Sequence, residues 1–160
     1  MIRGLYEVHL PVRDVDRAVA FYEKLGLQLA QIDEVSKEFA FVWIVPRRSW
    51  LGLWKHDISP DREPSSSPPN GRHLAFEVDF DQIKKAEAWL MERGIAVRQQ
   101  GSRPLAGPYA RPHGGTASVY FYDPDGNSLE FICNLPEDGP KEPPGLVYLS
   151  EWEDRRSNIR

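Results

Sequence analysis

The stretch "VHLPVRDVDRAVAFYEKLGL" (8–27) returns in altered form as "RHLAFEVDFDQIKKAEAWLMERGI" (72–95). A repeat of this length limits the fold strongly, because one copy has too few strands to cover both faces of its own sheet. Each copy reads as a strand, an Asp-containing turn and an amphipathic helix that stops at Gly26 or Gly94. The second helix is read as about one turn longer than the first. Val19, Tyr22 and Leu25 form the inward stripe of the first helix, and Ile83, Ala86 and Leu90 begin that of the second. His9 and His73 occupy the same place in the two copies.

The parallel continues. "FAFVWIVPRRSWLGLW" (39–54) answers "ASVYFYDPDGNSLEFI" (117–132), each a strand, a turn at Pro46 or Pro124, and a strand. Asp123-Pro124-Asp125-Gly126 has the composition of a tight turn, Pro fixing φ and Gly accepting a positive one. Strands at about 28–33 and 96–100 complete the pattern βαβββ twice, an α+β fold of two tandem modules, 4–56 and 72–134. The Pro/Ser-rich stretch 57–71 reads as a linker, and 135–160 as a Pro-rich tail ending in a short helix within "VYLSEWEDRRSN".

Composition excludes some partners. A net charge of −4 argues against a nucleic-acid partner, which favours a basic face. No apolar run approaches the roughly 20 residues that cross a bilayer, and the opening "MIRGLYEVHLPVRD" lacks the apolar core of a signal peptide. The single cysteine, Cys133, rules out an internal disulfide and suits the cytoplasm.

Strand parity sorts the polar residues. Leu74, Phe76 and Val78 share one face, leaving His73, Ala75 and Glu77 on the other; Leu129, Phe131 and Cys133 oppose Ser128, Glu130 and Ile132. Glu130 therefore points away from the apolar face, as His73 does. A carboxylate flanked by large apolar residues is costly to bury without a partner. It needs such a partner, or else the histidines are scaffold and Glu130 an edge residue. By the same parity Ser118 and Tyr120 oppose Val119 and Phe121, with one hydroxyl each to offer on the hairpin. The segment 103–116, "RPLAGPYARPHGGT", reads as a long flexible loop, a lid over a site or a solvated excursion, and carries Arg103, Tyr109, Arg111 and His113. Trp50 and Trp54 share the parity of Gly52, walling a cavity or filling a core. Cys133, on the helix-packed face, reads as a buried, inert thiol.

The phrases "HLPVRDVDRAVAFYEKLGL", "RHLAFEV" and "VYFYDPDGNSLEFI", in this order and at these spacings, resemble the vicinal oxygen chelate superfamily of glyoxalases, fosfomycin-resistance thiol transferases, bleomycin-binding proteins and extradiol dioxygenases. The resemblance covers about residues 4–134. It implies that the modules form a cupped, barrel-like mixed sheet, and that one divalent metal ion (Mn, Fe, Co, Ni or Zn) is held per site by His9, His73 and Glu130. Pro46 to Gly52 and Pro124 to Glu130 are both six residues, so Gly52 stands where a glyoxalase I carries its fourth ligand and base. His56 lies four residues further, about 13 Å along an extended strand, and reads as surface. No catalytic base is assigned.

The implied function is a metal-dependent lyase or thiol transferase that chelates the oxygens of a small oxygenated metabolite or antibiotic. Arg103, Arg111, Ser118, Tyr120 and Trp54 are the candidate substrate contacts, the arginines favouring an anionic substrate. The layout is nearest the fosfomycin-resistance enzymes, but Pro11 replaces their threonine and 103–116 replaces their Ser-rich loop, which argues for another substrate. Two other readings stand beside this one: a bleomycin-type drug-binding protein without catalysis, and an extradiol dioxygenase-like enzyme. The resemblance also implies a twofold homodimer with shared sites.

Overall fold

The computed structural model describes residues 3–57, 72–101 and 103–159. Residues 58–71 of the expected linker lie outside the described residues. The chain divides into two compact units: Met1–Arg72 with Asp123–Asn127, and His73–Tyr122 with Ser128–Arg160.

The first unit runs β1 (Glu7–Val12), α1 (Val15–Lys24), β2 (Gln28–Ile32), β3 (Phe39–Val45) and β4 (Ser49–Lys55). Its sheet has the order β1-β4-β3-β2, with β1 and β4 parallel and the other pairs antiparallel. Asp14 starts the helix, its carboxylate accepting the Arg17 N–H at 2.9 Å. Gly26, at φ +88°, stops it. Val15, Ala18, Val19 and Tyr22 then bury against Leu10, Val12, Ala40, Val42, Leu51 and Leu53, alternate residues of β1, β3 and β4. The intervening residues, among them Glu7, His9, Phe41, Gly52 and Trp54, necessarily face the other way.

A staple closes the β1–α1 junction. Asp125 Oδ1 accepts from the Arg13 N–H (3.1 Å), Arg13 Nε (2.9 Å) and Arg17 Nη2 (2.6 Å). Asp123 accepts from Tyr22 Oη at 3.0 Å, and Asn127 Nδ2 donates to the Pro11 carbonyl at 3.2 Å. Burial pushes the Tyr22 phenol well above its ordinary range, and the Asp123 carboxylate beside it adds to the rise.

The second unit runs β5 (His73–Glu77), α2 (Phe80–Ile83), α3 (Ala86–Glu92), β6 (Val97–Arg98), β7 (Tyr109–Arg111), β8 (Thr116–Tyr122), β9 (Ser128–Asn134), β10 (Val147–Tyr148) and α4 (Leu149–Ile159). The strand order is β10-β7-β8-β9-β5, with β6 also on β8; β5 and β9 are parallel. Leu129, Phe121 and Phe131 are buried with Ile83, Ala86 and Leu90, α2 lying on β8 and β9.

Three expectations change. The second helix is two helices, broken where the Lys85 N–H bonds the Gln82 carbonyl, three residues back rather than four. Ile83, Ala86 and Leu90 stay buried across the break. The strand expected at 96–100 shrinks to β6. The loop 103–116 contains β7, which pairs with both β8 and β10. Tyr109 is buried there, stacked on Tyr148 at 5.8 Å, with its hydroxyl donating to the Arg103 and Pro104 carbonyls. The tail is likewise built in: Trp152 is 1% exposed and donates to the Pro140 carbonyl at 2.9 Å. A Cβ on Gly139 would meet the Trp152 ring at 1.9 Å, so only glycine fits beside it. No helix among the described residues is long and apolar enough to cross a membrane.

Candidate functional site

The parallel pairing of β5 with β9 sets His73 opposite Ser128 and Ala75 opposite Glu130. His73 Nδ1 lies 3.1 Å from Ser128 Oγ, and Nε2 lies 2.9 Å from Glu130 Oε2. Both ring nitrogens are engaged, so the ring orientation is fixed. The Glu130 side chain is only 7% exposed, and His73 is the partner that its buried carboxylate needs.

Cations gather on the same face. Arg98 Nη2 donates to Ser128 Oγ at 2.9 Å, and its guanidinium lies over the Tyr120 and Tyr122 rings at 4.9 and 5.0 Å. Arg111 Nη1 donates to Tyr120 Oη at 2.7 Å. Tyr120 stands directly opposite Glu130 across β8 and β9, and burial raises its phenol above the ordinary range. Ser118 is fully buried on the same face as Tyr120. The second unit thus brings together His73, Glu130, Ser118, Tyr120 and Arg111. Arg103 lies elsewhere in that unit, bound to Glu151 at 3.3 Å and over the Tyr148 ring at 4.9 Å. Cys133 is buried, and desolvation raises its thiol.

The first unit offers a different surface. His9 Nε2 contacts Glu7 Oε1, and Phe41 and Trp54 flank the imidazole at 6.1 and 5.6 Å between ring centroids. Phe41–Trp50 (4.8 Å), Trp43–Trp50 (5.0 Å) and Phe39–Trp54 (5.2 Å) extend this into a continuous aromatic wall. An open depression of about 480 Å³ is lined by His9, Leu10, Pro11, Trp54 and His56. Gly52 lies beneath the rings: a Cβ there would stand 2.6 Å from His9 Cδ2, 3.0 Å from Phe41 Cε1 and 3.0 Å from Trp54 Nε1. Trp54 Nε1 is buried and has no hydrogen-bond partner among the described residues.

Among the described residues, no three His, Cys, Asp or Glu side chains gather closely enough to hold an ion. Each unit supplies one imidazole–carboxylate pair, His73–Glu130 and His9–Glu7. The donor chemistry fits a divalent ion. A buried carboxylate oxygen and an imidazole nitrogen, as in His73–Glu130, are donor types that such an ion would take.

Glu7, Arg98 and Ser128 are absent from the sequence-derived site. Glu7 shares the parity of His9, a signal the sequence carries. Arg98 reaches Ser128 from 30 residues away, and no local pattern announces that contact.

The metallothiol transferase FosB of Shouchella clausii is 25% identical over 130 residues, spanning 81% of this chain and 80% of its own. A glyoxalase/dioxygenase from Nostoc punctiforme superposes with a TM-score of 0.61 at 29% identity, covering 84% of this chain and 92% of that one. The fosfomycin resistance protein FosX of Listeria monocytogenes, solved as a mutant with Mn(II) and 1S,2S-dihydroxypropylphosphonic acid, shares the fold: TM-score 0.61, 22% identity, 86% and 96% covered. Residues 4–131 match the family model described as the Glyoxalase/Bleomycin resistance protein/Dioxygenase superfamily, and the chain belongs to that family.

Proposed function

We propose that the protein is a divalent-metal-dependent enzyme, a lyase or thiol transferase, acting on a small oxygenated anion. The buried Glu130 carboxylate, held against a His73 ring that Ser128 orients, carries this reading. His73, Glu130 and His9 are the ligands, and an ion bound there supplies Lewis acidity to the substrate's oxygens. Nitrogen and oxygen donors suit Mn, Fe, Co, Ni or Zn. The FosB relative, a metallothiol transferase, and the Mn(II) in the FosX structure favour the same chemistry.

The remaining groups do the binding. Arg98 and Arg111 bracket Tyr120 and neutralise an anionic substituent, while the Tyr120 and Ser118 hydroxyls offer it hydrogen bonds. The Trp54 ring excludes water from the apolar part of the substrate, and its free Nε1 donates to a substrate oxygen. The lone buried thiol of Cys133 fits a reducing, cytoplasmic setting.

Elemental analysis of protein purified without chelator is the direct test. Near-stoichiometric metal, lost in a His9/His73/Glu130 triple alanine variant, is the expected result. No metal in the wild type, or the same content in the variant, overturns the proposal. The enzyme acts as a homodimer with shared ligands, so co-refolding His9→Ala with Glu130→Ala protein restores part of the metal binding. A monomer by light scattering overturns that arrangement.

A further inference from the structure

The first repeat has no carboxylate at the position equivalent to Glu130, because Gly52 stands there. We propose that Glu7, two residues before His9 on the same strand, is a metal ligand and the first unit's counterpart of Glu130. The inference rests on the metal site proposed above.

Parity places Glu7 and His9 on one face of β1, opposite Trp50 and Gly52 of β4. Their contact mirrors the one in the second unit. Glu7 Oε1 meets His9 Nε2, as Glu130 Oε2 meets His73 Nε2. An ion that binds the Nε2 lone pair of His9 therefore arrives beside the Glu7 carboxylate. Phe41 and Trp54 limit rotation of the imidazole and keep that nitrogen turned towards Glu7.

The alternative position is closed. A side chain at residue 52 meets His9, Phe41 and Trp54 at 3.0 Å or less from its first carbon. A carboxylate cannot enter there while the rings hold their places. His56, also beside the depression, is exposed, with no ring contact among the described residues.

The simpler account makes Glu7 a surface partner that occupies His9 and competes with the ion. The two accounts give opposite results when Glu7 is neutralised. Co²⁺ is titrated into wild type, Glu7→Gln and Glu130→Gln, with visible absorption and bound stoichiometry as readouts and circular dichroism as a control of folding. The Glu7 side chain is 35% exposed and contributes no core packing, so the isosteric change preserves the fold. The expected result is Co²⁺ binding about tenfold weaker or more in Glu7→Gln, with an altered absorption band. Affinity that is unchanged or tighter in Glu7→Gln, while Glu130→Gln still loses Co²⁺, overturns the role of Glu7 alone. Absence of Co²⁺ binding by the wild type overturns the metal site itself.

Discussion

The two repeats follow the same path yet present opposite chemistry on the face away from their helices. In the first unit that face is aromatic, with Phe39, Phe41, Trp43, Trp50 and Trp54 surrounding one imidazole–carboxylate pair and a glycine. In the second it is ionic, with two guanidiniums, two phenols and two serines around His73 and Glu130. The helix-packed faces differ little, because both need only apolar residues at alternate positions. Duplication thus preserves the buried half of each module and frees the other half. One face became a wall and the other a set of fixed charges.

The sharpest challenge to this division is Glu130→Gln. If the second unit provides the dominant charged ligand, metal affinity falls at least about 100-fold, beyond the loss of a supporting contact. Titration with Mn²⁺ measures it, and a loss no greater than that of Glu7→Gln would make the two units equal contributors.

Next comes Gly52→Glu, which imitates Glu130 in the first unit. The crowding of His9, Phe41 and Trp54 predicts destabilisation by about 1–3 kcal/mol and no gain in metal affinity. Thermal unfolding checks the first, titration the second. A stable variant that binds metal more tightly would show that the first unit can still accept the ligand pattern of the second.

A smaller effect separates two arginines within the second unit. Arg98→Ala frees Ser128 from one donor and loosens His73, lowering metal affinity about tenfold. Arg103→Ala removes contacts to Glu151 and Tyr148 and none to the candidate site, so affinity is unchanged and the melting temperature falls slightly. Equal losses in both would remove Arg98 from the site.

The smallest expected effect belongs to the first unit's buried polar staple. The Tyr22 phenol is raised, so the folded protein keeps a proton that the unfolded chain releases from about pH 10 upward. Its contribution is complete below that pH and is lost as pH rises. Tyr22→Phe costs about 1 kcal/mol at neutral pH through the lost bond to Asp123, and its alkaline decline is shallower than that of the wild type. Parallel unfolding curves in alkali would refute the assignment.

Most of the scaffold is legible because it obeys local rules. Alternation exposes β3, β4, β8 and β9, while Asp14, Gly26 and Gly94 mark helix limits. What escapes local rules depends on distant partners. β7 sits in a Gly- and Pro-rich run, and it is a strand because β8 and β10 supply hydrogen bonds on both sides. Lys84, at the break between α2 and α3, is tied to Glu153 of α4, far along the chain. Within the candidate site, the face shared by His73 and Glu130 follows from parity, as does the face shared by Glu7 and His9. Arg98 does not, since its value depends on a serine in another strand.

The turn Asp123–Asn127 belongs spatially to the first unit, although it is encoded within the second repeat. During synthesis, the strand that carries His9 and the helix after it wait for Asp123, Asp125 and Asn127 to leave the ribosome before their junction closes. Contacts spanning 101 to 116 residues are slow to form, because a long loop must close first. A fragment ending at the linker would hold the whole first repeat and still lack the acceptors for Arg13, Arg17 and Tyr22. The two repeats are therefore one folding unit in time: the earlier half is completed by the last hairpin of the later one.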